Sequence, residues 1–124
     1  MTLTLKNPKD ENHFAQVRTS KKHIQVYHQG ECIAETYKPL VLTENGRSLY
    51  DSVYYIPMED LKERLQELPM KESYCPIKGN ASYYLSGEGE EIAWSYSDPK
   101  HEASILKGYM GFDLNKVDLY LLSD

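Results

Sequence analysis

Apolar and polar residues alternate in short runs along most of this chain, separated by turn signals. In HIQVYHQGECIAET, Ile24 and Val26 share one face and Gln25 and Tyr27 the other, the two-residue period of a half-buried strand. Gln29-Gly30 supplies a tight turn, because glycine accepts the positive φ such turns require, and a second strand follows through Cys32 to Thr36. PLVLTE reads as a short strand closed by a turn at Asn45-Gly46. SVYYIP reads as a strand ending at Pro57, which has no N–H to give a ladder. EIAWSY places Ile92, Trp94 and Tyr96 on one face, with Ala93 and Ser95 opposite. The chain closes with YMGF, a polar turn near Asn115-Lys116, and VDLYLL, whose Val117, Leu119 and Leu121 face one way.

Two segments carry a helical signal instead. In PMEDLKERLQEL, Leu61, Leu65 and Leu68 recur at i, i+4 and i+7, Glu59 and Asp60 fall in the first turn, and Pro69 stops the run. SDPKHEASILKG predicts a short helix capped by Asp98, with Pro99 at its first position and Gly108 just past its end. Residues 1–22 are polar and lack a clear period, so they are expected as an extended, loosely packed N-terminal segment before a single domain over 23–124. Strands and helices do not alternate, which argues against a doubly wound parallel sheet. The pattern predicts a mostly β domain of seven or eight short strands with one or two short helices.

A chain of 124 residues fits one domain with one modest core. Its 40% apolar and 27% charged content belongs to the ordinary globular class rather than the disordered one. The formal net charge of −5 and scattered basic residues speak against nucleic acid, which is bound by clustered lysine and arginine. No apolar run reaches the roughly 20 residues that span a bilayer. The N-terminus has no apolar core ahead of its charges, so no membrane association is expected and the cytoplasm is the expected location. Cys32 and Cys75 are then expected as free thiols.

The histidines His13, His23, His28 and His101 show no ligand spacing, and there is no C-x-x-C, phosphate loop or G-x-S-x-G. The informative stretch is YCPIKGNASYY, residues 74–84. Positions three apart on a straight strand point to opposite faces, so Cys75 and Lys78 meet only if Pro76 and Gly79 bend the chain. A cation beside a thiol lowers its pKa into the nucleophilic range. The plainer alternative packs Cys75 and lays the Lys78 stem over an aromatic ring.

The ordered motifs YYIP, ED, CPIKGNASYY, AWSYSDP and LKGYMGF resemble a small bacterial family, domain of unknown function 427, also labelled a putative nucleotidyltransferase. The resemblance spans roughly residues 23–120. It implies a β-tent-like fold, two antiparallel sheets meeting at an angle, as in methionine sulfoxide reductase B. Proteins of that shape often hold zinc through paired cysteines; such pairs are missing here, so neither metal nor other cofactor is carried over. The family's glutamate directly after its third short strand corresponds to Glu44 only with a one-residue shift, because Thr43 intervenes.

Tyr55, Tyr83, Tyr84, Trp94 and Tyr96 come from neighbouring strands and are candidates to wall a pocket with Lys78 at its rim. An unidentified planar or anionic small molecule is the expected partner, in a binding module. The alternative is an enzyme acting on a nucleotide-like substrate through Lys78, Cys75 or Asp60. A protein-interaction role and a homo-oligomer stay open.

Overall fold

The computed structural model of the chain describes residues 2–45 and 52–122. Eleven strands are found there: β1 (Thr2–Asn7), β2 (Asp10–Thr19), β3 (His23–His28), β4 (Glu31–Thr36), β5 (Leu40–Asn45), β6 (Val53–Pro57), β7 (Gln66–Cys75), β8 (Gly79–Leu85), β9 (Glu91–Pro99), β10 (Tyr109–Phe112) and β11 (Asp118–Leu122). They form two antiparallel sheets. The larger is ordered β1-β2-β5-β6-β10-β9-β8-β7 and the smaller β11-β3-β4. Two 3₁₀ segments, Met58–Asp60 and His101–Leu106, complete the elements. The mostly β class read from the pattern is the class observed. Among the described residues no helix is long and apolar enough to cross a membrane.

Strand alternation divides the interior into two compartments. Ile24 and Val26 of β3 pack with Ile56, Met110 and Phe112 between the sheets. On the opposite face of the large sheet, Leu5, Ala15, Val17, Leu40, Leu42 and Tyr55 gather with Ala103 and Leu106 of the second 3₁₀ segment. Adjacent residues Tyr55 and Ile56 therefore serve different compartments. Full burial of an aliphatic side chain contributes roughly 1.5–3 kcal/mol, so the central strands are anchored from both sides.

Several sequence expectations need correction. Residues 58–69 are not a helix: a 3₁₀ turn ends at Asp60, Leu61 bridges Ala34, and the Lys62 N–H donates to the Ile33 carbonyl at 2.7 Å. The free edge of β4 needs backbone partners, and an extended segment supplies them where a helix spends them internally. Leu65 still buries itself between the sheets, so the leucine spacing reflects the core rather than a helical stripe. Asp98 caps nothing; β9 runs on through Pro99, and Asp98 accepts a long hydrogen bond of 3.4 Å from Asn80 Nδ2. The first residues are not loosely packed, for β1 and β2 form a hairpin paired to β5, with Leu5, Ala15 and Val17 fully buried. Leu121 is exposed, while Val117 and Leu119 pack inward. The Gly46 half of the Asn45-Gly46 turn lies outside the described residues.

A bulge corrects the face of β9. The ladder pairs Tyr83 with Trp94 and Tyr84 with Ala93, then slips to Leu85 with Glu91. Ile92 is thus an extra residue, and it joins Ala93 in the inter-sheet compartment, away from Trp94 and Tyr96. Another slip falls in the outer strand β7 between Glu67 and Glu72, where Met70 has a φ of 64° directly after Pro69.

Outside the small sheet, Glu35 receives hydrogen bonds from His23 Nε2 at 2.5 Å and Gln25 Nε2 at 2.9 Å, and pairs with Lys62 at 3.0 Å. These contacts, the His23 hydrogen bond first, hold its carboxyl down at about 2. A depressed carboxyl stabilises the fold above its unfolded pKa and loses that contribution as pH falls. Glu35→Gln is therefore expected to flatten the fall in stability between the unfolded value of 4.5 and about 2. Urea titrations across that range check it, and an unchanged slope contradicts it.

Gly111 of β10 pairs with Trp94 of β9, and the indole lies directly against its backbone. A Cβ at Gly111 would meet Trp94 Cε2 and Cζ2 at 2.7 Å and Tyr55 Cε1 at 3.1 Å. Gly111→Ala should accordingly cost about 1–3 kcal/mol in chemical denaturation. An unshifted midpoint would show that the indole moves aside freely.

Candidate functional site

The turn between β7 and β8 positions the central charge. Cys75 pairs with Gly79, leaving Pro76, Ile77 and Lys78 as the connection. Gly79 has a φ of 106°, and a Cβ there would sit 2.6 Å from the Lys100 nitrogen. The turn is pinned from β9's end: the Lys100 N–H donates to the Lys78 carbonyl at 3.0 Å and its Nζ to the Pro76 carbonyl at 2.7 Å. Ile77 plugs into the core, and Lys78 reaches inward.

Lys78 ends at a cavity of about 460 Å³ whose lining includes Tyr55, Tyr83, Trp94, Tyr96, Phe112 and Leu114. Its Nζ lies 5.2 Å from the centre of the Tyr96 ring, a cation–π contact. Tyr55 and Trp94 meet edge to face at 6.2 Å, with the indole N–H donating to the Tyr55 hydroxyl at 3.4 Å. At the rim, Tyr83 shares a 2.5 Å hydrogen bond with Ser73 and carries Lys71 over its ring at 4.5 Å. The Lys71 ammonium also grips Glu91 at 2.7 Å and 3.0 Å.

Beside the cavity, Lys78 is compensated by Glu44 of β5. Lys78 Nζ donates to Glu44 Oε1 at 3.2 Å, and Glu44 Oε2 accepts from His13 Nε2 at 2.8 Å. His13 Nδ1 faces Asn7 Nδ2 at 3.1 Å. The Asn7 carbonyl oxygen already accepts the Lys9 N–H at 2.9 Å, so its amide nitrogen is the group that faces the ring. His13 therefore accepts at Nδ1 and carries its proton at Nε2. The Lys78 side chain is 12% exposed and that of Glu44 19%.

Burial opposes the Lys78 ammonium, but the phenol oxygens of Tyr55 and Tyr96 and the Glu44 carboxylate outweigh it, and its pKa is raised. Burial alone would push the Glu44 carboxyl up; the His13 hydrogen bond and the Lys78 charge hold it below the usual range. Burial keeps Tyr55 and Tyr96 protonated, with pKa values raised despite the nearby lysine. Chemically, the site offers a fixed cation and phenol donors within aromatic walls. A nucleophilic lysine requires the opposite shift.

Of the residues nominated from sequence, Lys78, Tyr55, Tyr83, Trp94 and Tyr96 line this cavity together. Cys75 is half-buried against the same compartment without lining the cavity. Tyr84 points to the other face of β8, where it lines shallower grooves with Leu65 and Arg64. Asp60 accepts from Thr36 Oγ1 at 2.6 Å and is not part of the cavity wall. Among the described residues, no group of three or more His, Cys, Asp or Glu is placed to hold a metal ion.

Sequence reasoning missed Asn7 and His13, and it matched Glu44 to the family's glutamate only with a one-residue shift, which on a strand reverses the face. A signal was present. Asn7 follows Leu3 and Leu5 in parity, His13 precedes Ala15 and Val17, and Glu44 follows Leu40 and Leu42. Polar residues that continue an apolar parity are aimed at the core face, where they need partners.

The structure thus defines an all-antiparallel β domain with a charge-compensated lysine in an aromatic cavity. The chain belongs to the family described as a domain of unknown function, DUF427 (NTP_transf_9), whose profile matches residues 16–123. Among curated proteins, none matches it.

The raised pKa of Lys78 has a direct readout. In limited amine acylation at about pH 8.5, where ordinary lysines are partly deprotonated, Lys78 should be among the slowest lysines to react. Peptide mass spectrometry reports the order. Early labelling of Lys78 would show a free amine instead of a held ammonium.

Proposed function

We propose that this chain is a binding module for a small planar ligand carrying an anionic group. The observation that carries this reading is the Lys78 ammonium, buried at the end of a cavity walled by Tyr55, Trp94 and Tyr96. Pockets of this size, mostly apolar with a few placed polar groups, are typical of small-molecule sites. The ligand's flat body stacks among the rings, and its anionic oxygen accepts from Lys78. The raised lysine pKa favours charge recognition over amine nucleophilicity. An enzymatic role on a nucleotide-like substrate, through Lys78 with Cys75 or Asp60, is the alternative; the position of Asp60 away from the cavity wall gives it less support.

The test is a calorimetric titration with 2-naphthoate as the probe. Lys78→Ala and Trp94→Ala should each weaken binding by about tenfold or more, the loss of a charge-assisted hydrogen bond or a ring contact. Tyr84→Ala should leave it unchanged. Binding that ignores the first two variants, or that depends on Tyr84, would move the site elsewhere.

A further inference from the structure

Resting on that reading, we infer that the cavity selects singly charged planar oxyanions, such as aromatic carboxylates, and rejects doubly charged phosphate esters. The argument is a charge inventory. Lys78 is the one basic residue lining the cavity among the described residues, and the same wall carries Glu91 and Asp113. Glu91 is balanced by Lys71. The Lys78 charge is itself balanced by Glu44 at 3.2 Å. His13 lies outside the lining, and both of its ring nitrogens are engaged, Nδ1 by Asn7 and Nε2 by Glu44.

Among the described residues Lys78 and Glu44 therefore cancel, with the Asp113 carboxylate in reserve on the wall. A monoanion placed against Lys78 gains hydrogen-bond donors and one attractive charge at close range. A dianion brings a second negative charge toward Glu44 and Asp113, with no further cation among the described lining residues to meet it. The donor set fits the smaller charge as well. The Lys78 ammonium keeps hydrogen atoms beyond the one given to Glu44, and the Tyr55 and Tyr96 phenols stay protonated. Two or three donors converging on one region suit the two oxygens of a carboxylate.

A matched pair of probes decides the matter: 2-naphthoate and 2-naphthyl phosphate, titrated at about pH 8, where a phosphate monoester with second pKa near 6 is a dianion. The intact protein should bind the carboxylate about tenfold tighter or more. Glu44→Gln removes one negative charge and should shift the ratio toward the phosphate by about tenfold. Should Glu44→Gln fail to fold by circular dichroism, Asp113→Asn makes the same test at another carboxylate, one that lines the cavity, with a shift in the same direction. Phosphate binding equal to or tighter than carboxylate in the intact protein overturns the selectivity while leaving a ligand cavity in place. A ratio that neither variant moves overturns the charge inventory. If neither probe binds, the cavity reading itself falls and the selectivity with it.

Discussion

A lysine ammonium among tyrosine rings is tolerable only if something answers its charge, and in this protein Glu44 does. Moving an ammonium out of water costs several kcal/mol after relaxation, and an unanswered one would lose its proton or turn outward. The carboxylate at 3.2 Å lets the charge stay inside. Glu44 needs support in turn, and it comes from His13, oriented by Asn7. Two strands of the N-terminal hairpin thereby reach a site whose main parts lie far along the chain. Asn7 and His13 both precede the residues matched by the family profile, so this end of the relay is a feature seen in this chain rather than one the family match supplies.

The cavity follows from how the large sheet uses its two faces. One face meets the small sheet, and the other, to which β1 and β2 contribute Leu5, Ala15 and Val17, meets the second 3₁₀ segment. Aliphatic side chains close the first compartment. The second holds Tyr55, Trp94 and Tyr96, with Tyr55 edge to face against Trp94 and tilted against Tyr96, and these broad rings leave space at one end. The β9 bulge shapes this arrangement, since it sends Ile92 and Ala93 together into the inter-sheet compartment and leaves Trp94 and Tyr96 in the other. The bare backbone of Gly111 completes it by letting the indole approach β10 closely.

Much of this was legible in the sequence. Period-two alternation located β3 through β6, and the proline and glycine around Lys78 marked the bend that aims it. What failed had physical causes outside local pattern. Leu61 and Leu65 have helical spacing, but the exposed edge of β4 claimed their segment as an extended partner. Asp98 looks like a cap until Pro99 is seen to continue a strand. The parity of Ile92 with Trp94 breaks at a bulge, and a one-residue insertion leaves no local mark. The first twenty residues looked uncommitted because their apolar positions are sparse and interleaved with charges; only pairing with β5 reveals that they face a core.

The slip in β7 has a consequence for how copies of this protein meet one another. β7 is the last strand of the large sheet, so among the described residues one side of its backbone has no strand neighbour. A straight outer strand of this kind would template the addition of a second chain. Pro69 removes a donor and Met70, at a φ of 64°, turns the backbone out of line, with Glu67, Lys71 and Glu72 around them. The border is thereby made a poor template on which to lay another strand.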